Sequence, residues 1–245
     1  MSSGEDRRTT LDLALELLKT VYRAWEELSR AWPLACGPGC AACCTDRVFL
    51  TGLEGALFLA GLEGGLAGRA ASRNLPLEAR PRSTFNQRAR LYQAGREAPP
   101  EPEAREVAGA CPLLGQDDLC PAYPWRPLAC RVMVSDRVCR PGGAARQESF
   151  WVELASAFFM VVEHLAWGVG GVWAQAGLLP EVVAVLSGRG RKALLPCEPL
   201  AGIPAPAEHQ GRLQECLGRL FARPVRGRPL GWWLDELRRR RARAG

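Results

Sequence analysis

Eight of the ten cysteines in this chain fall into two arrays, Cys36-x3-Cys40-x2-Cys43-Cys44 and Cys111-x8-Cys120-x9-Cys130-x8-Cys139. Thiols bunched this closely read as metal ligands, because a thiolate suits both Zn2+ and iron–sulfur clusters. The competing use is a disulfide framework, which belongs to oxidising compartments and to small domains that cannot build a core. Two features speak against it. The N-terminal stretch runs through Glu5, Asp6, Arg7, Arg8, Asp12, Glu16, Lys19, Glu26 and Glu27 without an apolar signal segment. The side chains of neighbouring Cys43 and Cys44 also diverge, which strains a bond between them. The expectation is metal binding in a reducing cytoplasm.

Spacing narrows the chemistry. All-cysteine zinc sites pair C-x2-C knuckles, and Cys40-x2-Cys43 supplies one. The second array has none, its cysteines lying eight or nine residues apart. Such intervals suit loops converging on one centre or a larger cluster, so either two centres are present or one polynuclear cluster spans both arrays. The cysteine count and the long intervals tilt the reading from Zn2+ toward iron–sulfur. Clustered thiolates leave a centre negatively charged, and Arg47, Arg126, Arg131 and Arg140 are placed to neutralise it; Arg126 and Arg131 read equally well as residues that pack or pair on the surface. Tyr123 either donates its hydroxyl to a thiolate or fills an apolar gap beside Pro127. Cys197 and Cys216 lie outside the arrays and read as core residues or free thiols. His164, on an apolar helix, reads as a core histidine, and His209 as an exposed one.

In order as well as content, Cys36-x3-Cys40-x2-Cys43-Cys44, Val48-Phe49-Leu50-Thr51, Cys111-Pro112-Leu113-Leu114, Leu119-Cys120, Tyr123-x2-Arg126-Pro127 and Cys130-Arg131 resemble the bacterial YkgJ-type cysteine-cluster family. The resemblance spans about residues 36–139. It implies a zinc- or iron-chelating domain, with a cysteine region related to that of flagellin lysine N-methylases. Three residues between Cys36 and Cys40 depart from the family's usual spacing.

The elements that must position these thiols are mostly helical. Leu11, Leu15, Leu18, Tyr22, Trp25 and Leu28 recur at helical spacing, giving a helix over 9–32 with Thr10 as its cap and Pro33 as its stop. The Gly37-Pro38-Gly39 knuckle follows. Thr51 caps a second helix over 52–66. Residues 69–106 turn polar and read as flexible connectors around a short helix at 83–94. Pro112, Pro121, Pro124, Pro127 and Pro141 exclude a long helix from the second array, leaving loops and short strands. Residues 150–176 are apolar enough to suggest a membrane span, but Glu153, Glu163, His164 and several glycines point to one or two buried core helices. Further helices are expected at 180–186, 207–221 and 230–241. The fold class is therefore mainly α, a helical core with irregular cysteine-rich metal-binding loops. Its organisation reads as an N-terminal helix (1–33), a cysteine-cluster domain (34–145) and a C-terminal helical region (146–245).

The 245 residues are 47% hydrophobic, enough for a proper core. The net charge of +6 is weak evidence for a nucleic-acid partner, because only Lys19 and Lys192 are lysines and the sole basic cluster, Arg238 to Arg243, sits where a helix C-terminus favours cations. Neither a phosphate-cradling loop nor a Ser/His/Asp order is present, and no βαβ alternation marks a cofactor fold. Three functions stay open: a metal protein with a structural or redox-active centre, a protein-modifying enzyme akin to a lysine N-methyltransferase, and a metal-stabilised module that docks another protein or RNA.

Overall fold

The computed structural model describes residues 4–37, 39–72, 75–102, 109–139, 145–189 and 194–244. Pro38, Arg140, Pro141 and Lys192 lie outside them. The first helix, α1 (Gly4–Arg30), begins upstream of Thr10, because nothing between residues 5 and 10 breaks a helix and a threonine is tolerated inside one. A three-residue strand, β1 (Phe49–Thr51), runs straight into α2 (Gly52–Ala60), where Thr51 and Glu54 form a complete capping box. Short α3 (Leu66–Ala70) and α4 (Phe85–Gln93) follow. Within the cysteine-rich stretch lie a 3-10 turn at Tyr123–Trp125 and the five-residue α5 (Leu128–Val132). No strand forms between the described cysteines of the second array; an isolated bridge between Thr45 and Ala110 joins the two arrays.

The apolar stretch forms one long helix, α6 (Ser149–Val169), and then β2 (Gln175–Leu178). By length and composition α6 could cross a membrane, yet 72% of its most apolar window is buried inside the protein. Its buried Phe150, Trp151, Leu154, Phe158, Val161, Val162 and Leu165 join α1, α2, α8 and α9 in one apolar cluster. Then come α7 (Leu179–Leu186), β3 (Leu195–Pro196), α8 (Ala207–Phe221), the β4 (Pro224–Val225) and β5 (Arg228–Pro229) hairpin, and α9 (Leu230–Ala244). Strands β1, β2 and β3 form a small antiparallel sheet, with Leu50 opposite Gly177. The fold is mainly α, with the array cysteines in irregular segments except Cys130, which lies in α5. The apolar cluster joins residues from all three segments that the sequence divides.

Within the polar region, residues 75–102 are held more firmly than connectors would be, because polar side chains there turn inward. Glu163 on α6 accepts hydrogen bonds from the Phe85 and Asn86 amides at 2.8 Å each, so a buried carboxylate serves the N-terminus of α4. Asn86 reaches across to the Met160 and Glu198 carbonyls. Arg80 pairs with buried Glu181 at 2.6 Å. At the other end of the chain Arg239 and Arg240 pair with Glu236, and Arg238 donates to the Leu200 carbonyl.

His164 is a core histidine with a fixed tautomer. The Leu200 amide donates to Nδ1 at 2.9 Å, so Nε2 carries the proton and donates to the Leu234 carbonyl at 2.9 Å. A proton on Nδ1 would face an N–H, and burial holds the imidazole down to about 4. A depressed folded value means that stability is full above about 6.5, the unfolded value, and falls as pH drops toward 4, by about 3 kcal/mol in all. Glu163 is pushed up to about 7 by burial and acts in the opposite sense, but it is common to both chains in a comparison with His164→Gln. The difference in urea midpoint between wild type and His164→Gln is expected to shrink as pH falls from 7 to 4.5; a constant difference would show that the imidazole does not titrate in the fold.

Candidate metal centre

Helix α1 grips the segment that carries Cys130. Tyr22, Trp25 and Glu26 lie on one face of α1, three and four residues apart. Trp25 Nε1 donates to the Arg131 carbonyl at 3.0 Å, Glu26 pairs with the Arg131 guanidinium, and that guanidinium lies 4.3 Å from the centre of the Tyr22 ring. The remaining donors of Arg131 go to the carbonyls of Arg126 and Pro124, each at 2.9 Å. With every guanidinium nitrogen engaged, Arg131 ties α1 to the loop and donates to no thiol. Sequence proximity to Cys130 suggested a partner of the metal centre; the structure places this arginine as a clamp.

Glu54 completes the grip. Its buried carboxylate accepts from Tyr22 Oη and from the Leu128 amide, both at 2.8 Å, and from the Thr51 amide at 2.9 Å and Thr51 Oγ1 at 3.2 Å. One residue thus caps α2 and holds the first turn of α5, two residues before Cys130. Burial pushes its carboxyl up, and the donors from Thr51, Leu128 and Tyr22 oppose that. The capping pattern Thr51-x2-Glu54 is legible in the sequence; the reach to Leu128 is not, because it crosses 74 residues. Trp125 sits against Gly61 at the end of α2, where a Cβ would lie 2.2 Å from the indole, so only glycine admits this contact.

The two arrays meet. The Cys111 amide donates to the Cys44 carbonyl at 3.0 Å, beside the Thr45–Ala110 bridge. Asp46 continues the seam, its amide bonding the Gly109 carbonyl and its Oδ1 accepting from the Gly109 amide, both at 3.0 Å. Cys36 Sγ accepts from the Ser135 amide at 3.2 Å, and Cys43 Sγ lies 3.8 Å from the Met133 carbonyl. Cys111, Cys120 and Cys130 pack against one apolar cluster that includes Val48, Leu50, Phe58, Leu113 and Ala122. All eight array thiols are free and partly exposed. Cys197 is buried among apolar residues and Cys216 packs at their edge, apart from the arrays.

The thiols feel one another. Burial raises Cys36, with the Ser135 amide opposing and Cys40, Cys43 and Cys139 adding to the rise. Burial likewise pushes Cys130 well up, with Cys111, Cys120 and Cys43 contributing and Arg126 opposing. A hydrogen bond between Cys43 and Cys44 holds Cys43 down and drives Cys44 up. Among the described residues no three His, Cys, Asp or Glu side chains converge at ligand distance. The donor set nonetheless fits a soft metal in two respects. It is all thiol, and Arg126 lies beside it with a buried Nε that has no hydrogen-bond partner. Arg126 lowers both Cys120 and Cys130, stacks on Tyr123 at 3.7 Å and donates to the Tyr123 carbonyl at 3.2 Å. Tyr123 is 52% exposed, so it supports Arg126 from the solvent side. Arg47 donates to the Ala79 and Pro102 carbonyls.

Residues 35–150 match the family CxxCxxCC, described as a putative zinc- or iron-chelating domain. No curated protein and no solved structure matches the chain.

Replacing Glu54 with Gln puts an amide N–H against either the Thr51 or the Leu128 donor in a buried site. The expected loss is about 2–4 kcal/mol of unfolding free energy, read from urea unfolding. A loss below about 0.5 kcal/mol would show that the carboxylate does not hold these elements together.

Proposed function

We propose that the chain binds iron, as iron–sulfur, through Cys36, Cys40, Cys43, Cys44, Cys111, Cys120, Cys130 and Cys139, and that the metal serves a structural or redox role without turnover of its own. The observation that carries this reading is the meeting of two arrays 67 residues apart in sequence, at the Cys111–Cys44 hydrogen bond. Burial alone would not gather eight partly exposed thiols; core cysteines are buried, as Cys197 is. Long intervals between ligands and the shortage of C-x2-C pairs favour iron–sulfur over zinc. When bound, such a centre supplies a one-electron carrier or a crosslink between loops. The chain's own residues do the rest: Glu54 and Arg131 fix the Cys130 loop, and Arg126 offers a charge and an unpaired Nε to the thiolates. A cytoplasmic setting suits reduced thiols.

A docking role is a second reading, favoured by the exposure of Leu119, Tyr123, Trp125, Met133 and Val138 within the cysteine-rich stretch. For lysine methylation the support is the family resemblance alone.

Metal analysis of anaerobically purified protein tests the main reading. The expected result is stoichiometric iron with acid-labile sulfide and a visible charge-transfer band. Zinc in place of iron would correct the metal and keep the site, whereas neither metal, with all array thiols free or oxidised, would end the proposal.

The two arginines are expected to part company. Arg126→Ala should weaken metal retention or shift the redox potential with helical content intact, and Arg126→Lys should restore this only in part, since lysine lacks the planar fork. Arg131→Ala should instead lower unfolding stability by about 2–4 kcal/mol, since it removes the ion pair with Glu26 and the hydrogen bonds to the Arg126 and Pro124 carbonyls together. Equal effects of the two alanine variants on metal and on stability would refute this division.

A further inference from the structure

We propose that the outward face of α9, together with the β4–β5 hairpin, binds single-stranded nucleic acid, with Trp232 stacking on an unpaired base and Arg228, Arg239, Arg240 and Arg243 taking the flanking phosphates. No array cysteine belongs to this surface, and the proposal does not depend on the metal.

The positive charge of the chain is concentrated here. Residues 1–206 carry 22 basic and 22 acidic side chains, whereas 207–245 carry ten arginines and four carboxylates, so the whole net charge of +6 lies in α8, the hairpin and α9. The helix macrodipole accounts for Arg241 and Arg243 in the last turn of α9, but not for Arg228 in β5 or for Arg239, which precedes that turn. Some of the ten are engaged inside the fold: Arg223 pairs with Glu27 and Arg226 with Glu16, both on α1, and Arg238 donates to the Leu200 carbonyl. Those around Trp232 are not. Arg228 and Arg243 have no carboxylate partner among the described residues. Glu236 engages Arg239 and Arg240 through Nε alone, at 3.1 and 2.9 Å, which leaves the Nη groups of both to fork onto phosphate.

The aromatic platform is held rigidly. Leu230, Leu234 and Leu237 turn one side of α9 into the apolar core, so Trp232, Glu236, Arg239 and Arg243, spaced four, three and four residues apart, share the opposite side. Trp233 is anchored to the Val225 carbonyl at 2.8 Å and meets the Trp232 ring edge-on, their centres 4.7 Å apart. Trp232 itself is 37% exposed, and the guanidinium carbons of Arg228 and Arg239 lie 5.3 and 5.8 Å from the centre of its ring. A two-residue turn with positive φ at both Arg226 (48°) and Gly227 (74°) closes the hairpin that holds Arg228 there. An indole set between guanidinium groups offers a face on which a base can stack while the same groups reach its phosphates. A duplex hides its base faces, so the strand must be single. A membrane fits less well, because Trp232 shares this side with Asp235 and Glu236 and with no second large apolar side chain among the described residues.

The test titrates the whole chain, as purified, into a fluorescein-labelled oligouridylate about 12 nucleotides long and reads binding by fluorescence anisotropy. Saturable binding is expected, with an affinity that falls with salt at a log–log slope of about −3 for four phosphate contacts. Trp232→Ala should weaken it about tenfold, and Trp232→Phe much less, since a flat ring remains. Arg228→Ala combined with Arg239→Ala should reduce the slope by about 1.4, the share of two phosphate contacts. Arg88→Ala, on α4, should bind as the wild type does. Circular dichroism checks that each variant keeps its helices. No binding at low salt, equal binding by wild type and Trp232→Ala, or an equal loss in Arg88→Ala would overturn the proposal. Polyglutamate competing as well as oligouridylate would reduce the face to a general anion surface and overturn it too, as would binding to phosphatidylserine vesicles without binding to the oligonucleotide. Oligothymidylate run alongside separates the two sources of this chemistry: tighter binding of oligouridylate assigns the face to RNA, and tighter binding of oligothymidylate assigns it to single-stranded DNA.

Discussion

A single buried carboxylate sets the relation between helical core and cysteine loops. Glu54 accepts hydrogen bonds from Thr51, Tyr22 and Leu128, which lie on β1, α1 and α5. A carboxylate in an apolar interior is costly unless its oxygens are satisfied, so these three elements are held in the one arrangement that satisfies it. Tyr22 carries the constraint onward, since the Arg131 guanidinium stacks on its ring and pairs with Glu26 one turn later. The loop bearing Cys130 is therefore oriented by groups that are not themselves thiols.

The same device recurs on the other side of α6. Glu163 receives the first amides of α4, and Asn86 ties that helix to the 198–201 segment through the Glu198 carbonyl and the Ala201 amide. Gln87, Arg90 and Gln93 add hydrogen bonds to the carbonyls of Pro196, Pro199 and Gly202. A proline-rich strap has few amides of its own to offer, so side chains from α4 satisfy its carbonyls instead. Long connections in this protein are thus fixed by polar side chains more than by sheet, which is why the β1–β2–β3 sheet needs strands of only two to four residues.

Around the thiols, burial and mutual repulsion both favour the neutral form, and Arg126 with the backbone amides opposes them. A metal ion shifts that balance decisively, because it binds thiolates and releases their protons. Cysteine loops of this kind store little stability of their own; their order comes from the α1 and α2 grip on one flank and from the Cys44–Cys111 seam on the other.

Much of this protein is determined by local sequence. Helical periodicity placed α1, α2, α8 and α9, the prolines kept long helices out of 111–139, and the Thr51 cap began α2 where hydroxyl-to-amide bonding requires it. Both cysteine arrays and the isolation of Cys197 and Cys216 are equally local, since residue type and spacing carry them. The tertiary structure alone decided what crosses the chain: Glu54 reaching Leu128, Glu163 reaching Asn86, and vicinal Cys43 and Cys44 attaching to different segments. It also separated Arg126 from Arg131, two residues alike in type and both within four residues of Cys130. The physical reason is common to all of these. A buried polar group must find its partners wherever packing brings them, and packing depends on the apolar faces of helices far apart in the chain, so no spacing rule within one segment can anticipate the partner.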